Sequence, residues 1–127
     1  MDHELLSIIN EKASSEDLKV HPDFAPALDD YFVKTGELNL SAAEKKTVAT
    51  YLSAKALNIA RVEKKKILDP SDLKAAMWHF HEPKDLQDTE CKRAAQFILA
   101  EHKRGRMAKA LPSEFAGYLD TRRHSRG

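Results

Sequence analysis

The sequence predicts an all-α protein built as one domain, and three observations carry that prediction. Strand signals are scarce: no run alternates apolar and polar residues convincingly, and β-branched residues are thin. Helix signals are dense, with apolar residues recurring at helical spacing behind recognisable capping residues. A length of 127 residues leaves room for a single core.

The elements follow in order. A first helix is expected over roughly residues 2–12, amphipathic through Leu5, Leu6, Ile8 and Ile9, and Ala13-Ser14-Ser15-Glu16-Asp17 breaks it. A second begins near Pro22 or Pro26 and spaces Phe24, Leu28 and Phe32 four apart, with Gly36 placed to end it. A third starts at Ser41-Ala42-Ala43-Glu44, the spacing of a capping box, in which the serine oxygen takes an orphan N–H and the glutamate reaches back. On a helical wheel Val48, Tyr51, Leu52, Ala56, Ile59, Ala60 and Val62 cover about half the circumference, interrupted only by Lys55. So wide a band predicts a central helix packed on more than one side. Asp69, Pro70 and Asp72 then suit the N-cap, first helical position and positive dipole end of a short helix ending before Pro83. A further helix is expected over residues 89–109, apolar through Ala94, Ala95, Phe97, Ile98 and Ala100 and weakened by Gly105. Pro112-Ser113-Glu114-Phe115 starts a last short helix, and a basic tail follows.

The net charge of +1 hides an asymmetry: residues 1–40 carry three basic and nine acidic side chains, 41–90 nine and eight, and 91–127 nine and three. Leu5, Leu6, Ile8 and Ile9 are too few and too acidic in surroundings for a signal peptide, and no stretch is long enough to span a membrane. One cysteine, Cys91, excludes an internal disulfide framework. A cytoplasmic protein without membrane contact is therefore expected.

Pro70-Ser71-Asp72-Leu73 with Met77 matches Pro112-Ser113-Glu114-Phe115 with Leu119, each behind a long helix that ends in basic residues. Ordinary N-capping yields the same pattern without a true repeat.

Residues 22–81 resemble a histone fold of the bacterial and archaeal single-chain kind: short helix, loop, long central helix, loop, short helix. The resemblance rests on Lys65-Lys66-Ile67-Leu68-Asp69-Pro70-Ser71-Asp72-Leu73 with Ala76 and Met77, which looks like the second loop and third-helix start of histones. Leu28-Asp29-Asp30-Tyr31-Phe32 and Asn39-Leu40-Ser41 are similar to the first helix and first loop. The resemblance implies a histone-fold-like helix–loop–long helix–loop–helix with extra N- and C-terminal helices. It divides the chain into an N-terminal helical extension (1–19), the histone-fold-like unit (20–82), and a C-terminal helical half (83–127) that reads as a degenerate second unit with a basic tail. It also implies a head-to-tail handshake, made either with the C-terminal half of the same chain or with a second chain in a homodimer. In the family an arginine seven residues before the acid of the third helix often clamps that acid. Lys65 stands in that position before Asp72, without the arginine's forked geometry.

The function implied is architectural, largely sequence-independent DNA binding in the nucleoid. Lys45, Lys46, Arg61, Lys64, Lys65 and Lys66 would lie along the phosphates, against the alternative of a solvated helix end. The same two readings apply to Lys103, Arg104, Arg106 and the terminal arginines. The acidic N-terminal third favours a rival, a protein-interaction module that uses the fold only to pair with an unknown protein. No metal or other cofactor is expected: His79-Phe80-His81 puts its two rings about 200° apart on a helix, and His102 is remote. Trp78 and Phe80 read as packing or interface residues, and Cys91 as a structural thiol without an activating neighbour. No phosphate loop, nucleophile elbow or paired-histidine zinc helix is present, so no enzyme is expected.

Overall fold

A computed structural model describes residues 2–78, 88–106 and 111–119. Among them it holds α1 (His3–Ser15), β1 (Lys19–Val20), α2 (Phe24–Lys34), a 3₁₀ turn (Gly36–Leu38), α3 (Ala42–Val62), β2 (Ile67–Leu68), α4 (Pro70–Trp78), α5 (Asp88–Lys103) and α6 (Ser113–Leu119). The all-α class holds, with one two-stranded parallel bridge added.

That bridge organises the first 78 residues as two helix–strand–helix units, α1–β1–α2 and α3–β2–α4. Each leading helix closes in the same way. Asp17, at φ 57°, donates its N–H to the Ser14 carbonyl at 3.2 Å, and Leu18 donates to Ala13 at 2.8 Å. Lys64, also at φ 57°, donates to Arg61 at 3.0 Å, and Lys65 to Ala60 at 2.9 Å. A left-handed residue with these two bonds satisfies the last carbonyls and turns the chain sharply out of the helix. Both chains then run side by side, Lys19 opposite Ile67 and Val20 opposite Leu68. Each next helix is opened by a side chain that accepts an N–H two residues on: Asp23 donates to His21 Nδ1 at 3.0 Å, and Ser71 to Asp69 Oδ1 at 2.9 Å. Pro22 and Pro70 follow these acceptors. The offset between units is 47 residues at the caps (Asp17 against Lys64) and 48 across the strands (Lys19 against Ile67).

The core lies between the units. Leu5, Ile9 and Ala13 of α1 meet Phe24 and Leu28 of α2, Val48, Leu52, Ala56 and Ala60 of α3, and Leu73, Ala76 and Met77 of α4, all buried. Helix α3 is central because its side chains are small enough to admit neighbours on several sides: Ala49, Thr50, Ser53, Ala54 and Leu57 are buried too. Thr47 and Thr50 return their hydroxyls to the Ala43 and Lys46 carbonyls at 3.1 and 2.7 Å. The capping box is present, with Glu44 donating to Ser41 Oγ at 3.1 Å and Ser41 to Glu44 Oε1 at 2.9 Å. Helix α5 adds Cys91, Ala94, Ala95 and Ile98 and is tied to α2 by the Tyr31 hydroxyl, which donates to the Cys91 carbonyl at 2.7 Å. Helix α6 lies against α1 and α3 through Phe115 and Tyr118.

Several details differ from expectation. Helix α1 runs a turn further, because Asp17 accepts the left-handed cap that ends it. Gly36 takes no left-handed cap but opens the 3₁₀ turn, and Asn39 at φ 49° makes the reversal. Helix α5 stops at Lys103 because Gly105, at φ 72°, caps it, with Arg106 donating to Glu101 and Gly105 to His102. Val62 and Phe97, expected on apolar faces, are 64% and 44% exposed. The expected boundary between residues 19 and 20 falls inside β1, and α1 is part of the core rather than an appendage to it.

Candidate nucleic-acid interface

The six cations singled out from the sequence fall into three groups. Lys45 is exposed in the first turn of α3, and Lys46, next to it, holds its ammonium 4.2 Å from the centroid of the Tyr118 ring. At 1.5 Å per residue these two lie roughly 25 Å from the other end of α3, so one short stretch of phosphates cannot meet both ends.

Lys65 forms the second group alone. Its Nζ donates to both carboxylate oxygens of Asp72 at 2.8 and 2.9 Å, and to Asp69 Oδ1 and Ser71 Oγ at 3.2 Å each. Asp72 also accepts the Asp69 N–H at 3.0 Å, and its side chain is 2% exposed. The structure thus brings Lys65 and Asp72 together as a clamp on the start of α4. Burial by itself lowers the Lys65 ammonium, but the bonds to Asp72 and Asp69 outweigh it and hold the group above the ordinary lysine range. The Ser71 hydroxyl, then Lys65, hold Asp69 below the carboxylate range against its desolvation. With its hydrogens directed at these acceptors, Lys65 offers little to an external phosphate.

Arg61, Lys64 and Lys66 make the third group, all exposed where α3 runs into β2. Arg61 donates to Asn58 Oδ1 at 2.7 Å, which leaves the other guanidinium donors directed outward. The strand pairing adds a fourth cation that sequence reasoning missed. Lys19 is exposed, and its N–H donates to the Lys66 carbonyl at 3.0 Å. Its signal was available, since Leu18-Lys19-Val20-His21-Pro22 has the apolar step and proline of the second loop, but it stands alone in an acidic stretch. Glu16, Asp17 and Glu63 occupy the same end and offset part of the positive field.

The remaining candidates do not assemble a site. Cys91 is fully buried within α5, and no group of three metal-ligating side chains occurs among the described residues. His79, Phe80, His81 and the arginines of the tail lie outside the described residues. Among the described residues no helix is long and apolar enough to cross a membrane. Comparison with known proteins finds no matching family model, curated protein or solved structure.

Proposed function

We propose that the chain is an architectural, histone-like DNA-binding protein that grips the phosphate backbone through the end where β1 and β2 pair. One observation carries the reading: the parallel bridge sets two loops side by side and clusters Lys19, Arg61, Lys64 and Lys66 there, all exposed. Paired loops at the end of a long helix are what the handshake of the resembled family presents to DNA. In this chain both loops come from one molecule, and the loop that pairs with 67–68 is 19–20, not Asn39-Leu40-Ser41 or a segment of the C-terminal half. This pairing joins α1–β1–α2 to α3–β2–α4 and supports neither the handshake with the C-terminal half nor that with a second chain. The contact set is narrower than the sequence suggested, since the half-buried Lys46 and Lys65 are engaged by Tyr118 and by Asp69 and Asp72. Such a protein would act in the nucleoid.

Four cations neutralising four phosphates give a log–log salt slope of about −3.6, at about −0.9 per phosphate. The three acids beside them keep affinity modest. Fluorescence anisotropy of a labelled random-sequence duplex, titrated at several salt concentrations, measures both quantities. Reversal of two cations in K64E/K66E removes about half the slope, whereas K45E at the far end leaves it unchanged. Absence of binding at low salt, or indifference to K64E/K66E, would overturn the proposal. The second reading, a protein-interaction module, is favoured by Val62 and Ile67, which are 64% and 42% exposed at the same end. Its sign is capture of a protein partner that I67D and V62D abolish.

A further inference from the structure

The two units open their second helices with different acceptors. In the second unit Asp69 takes the Ser71 N–H at 2.9 Å, and the Ser71 hydroxyl and Lys65 keep it ionised. The offset of 48 residues across the strands places His21 at the same point of the first unit. Its Nδ1 takes the Asp23 N–H at 3.0 Å. A ring nitrogen accepts a hydrogen bond only while it carries no proton. Imidazole is the side chain that ordinarily changes charge between about pH 5 and 8. Of two equivalent caps, one is therefore permanent and the other depends on pH.

His21 is also where the bridge joins α2. Its N–H donates to the Leu68 carbonyl at 2.8 Å, and its carbonyl accepts the Phe24 N–H at 3.0 Å. These backbone bonds hold the residue in place whichever form the ring takes. The ring itself is 41% exposed, with Asp23 Oδ2 at 3.8 Å from Nδ1. Asp23 makes no side-chain cap bond of its own, so its carboxylate is available to a charged ring. Lys19 stands two residues earlier, roughly 7 Å along the strand. Across the bridge are Lys66, whose carbonyl takes the Lys19 N–H, and Asp69, already engaged by Lys65. Glu16 and Asp17 after α1 and Glu63 after α3 share this end of the molecule, and the positive end of α2 lies beside the ring.

We propose that His21 is a pH switch on the phosphate-binding end, an inference that rests on the DNA-binding reading. In the neutral form the ring caps α2 through the Asp23 N–H. On taking a proton from solvent, Nδ1 becomes a donor, releases that N–H and turns to the Asp23 carboxylate. The His21–Asp23 pair passes from a charge of −1 to zero, so the end that carries Lys19, Arg61, Lys64 and Lys66 becomes more positive by one. Phosphate favours the protonated ring, and by linkage duplex binding strengthens as pH falls.

The test uses the full chain and two readouts. In ¹H–¹⁵N spectra recorded without DNA, the Asp23 amide shifts together with the His21 ring between about pH 8 and 5, while the Ser71 amide of the second unit stays in place. In anisotropy titrations with a random-sequence duplex, wild type binds roughly fivefold more tightly at the acid end of that range, with a salt slope steeper by up to about 0.9. H21Q keeps an oxygen for the Asp23 N–H but takes no proton, and retains only the dependence contributed by the other five of the chain's six histidines. H21D copies the carboxylate of the second unit and binds more weakly at every pH. An Asp23 amide that ignores the ring's titration would overturn the switch. So would salt-dependent binding whose pH dependence is the same in wild type and H21Q, an outcome that leaves the DNA-binding reading standing. Absence of duplex binding by every chain at low salt would remove that reading, and the gating of DNA with it.

Discussion

Replacing Lys65 with methionine tests whether the clamp on α4 is structural. Methionine keeps most of the aliphatic stem and removes the ammonium, so packing is largely conserved and four hydrogen bonds are lost. Asp72, whose side chain is 2% exposed, keeps the Asp69 N–H. Removing one partner of a buried ion pair costs 3–5 kcal/mol, but the Lys65 side chain is 25% exposed and water can enter where it stood. The expected loss is therefore about 2–3 kcal/mol, a fall in Tm of about 6–12 °C for a chain of this size. The pH dependence follows from the two shifts. Asp69 is lowered from 3.8, so its contribution is complete above that value and lost as pH falls through the folded value. Lys65 is raised from 10.5, so its contribution is complete below that value and lost as pH rises beyond it. Urea denaturation of wild type and K65M from pH 3 to 10 should show the largest difference between about pH 5 and 10. With D72N, the double-mutant cycle should return a coupling of about 1–2 kcal/mol. A K65M chain within about 0.5 kcal/mol of wild type at pH 7, or a difference that persists unchanged to pH 3, would refute the clamp.

Other expectations concern the turns and the tyrosines. D17G and K64G each relieve a side chain in the left-handed region and should stabilise the fold by about 0.5–1 kcal/mol in urea, after the entropy of glycine is subtracted. Only K64G should also reduce the salt slope of DNA binding, by about 0.9. Burial raises the Tyr31 and Tyr118 hydroxyls above the ordinary value of 10.0, Tyr31 mainly by desolvation and Tyr118 by desolvation and then its bond to Asp2. A raised folded value means stability that is present below pH 10 and lost above it. Two of the three tyrosines should therefore ionise only as the chain unfolds, visible as coincident ultraviolet and circular-dichroism transitions; free titration of all three in the folded state would contradict the packing.

The parts of the fold written in local chemistry were legible in the sequence. Ser41 and Glu44 marked the start of α3, Asp69 and Pro70 that of α4, and Pro112 that of α6, because capping is decided within a few residues. The strand pairing was not legible. Two residues are too short a run to show alternation, and Lys19 and Ile67 meet only because two left-handed turns aim their strands at each other. Those turns were hidden as well, since Asp17 and Lys64 occupy positions where glycine would have announced them. Of the candidate interface, the basic run at the end of α3 was visible as composition. Which of the candidate cations point outward depended on Asp72, which holds Lys65, and on Tyr118, which holds Lys46 at the other end of α3 and lies 72 residues from it in sequence.

The internal repeat supplies its own control for the interface. Counting from the left-handed caps, Leu18 of the first unit corresponds to Lys65 of the second, and Lys19 to Lys66. Leu18 is 5% exposed. The position is thus an inward one in both units, filled once by an apolar side chain and once by a cation that carries its own acids. Lys19 and Lys66 share the outward position, and both are cations despite the acidic surroundings of one and the basic surroundings of the other. Lys19, in β1, and Lys66, one residue before β2, adjoin through the Lys19 N–H and should meet neighbouring phosphates. K19E and K66E should then weaken duplex binding equally, each flattening the salt slope by about 0.9 without changing stability by more than about 0.5 kcal/mol. L18A should do the reverse, lowering stability by about 2–3 kcal/mol while the folded fraction keeps its slope. If K66E abolished binding and K19E left it untouched, DNA would be held by the basic run alone, and the strand pairing would have no part in the interface.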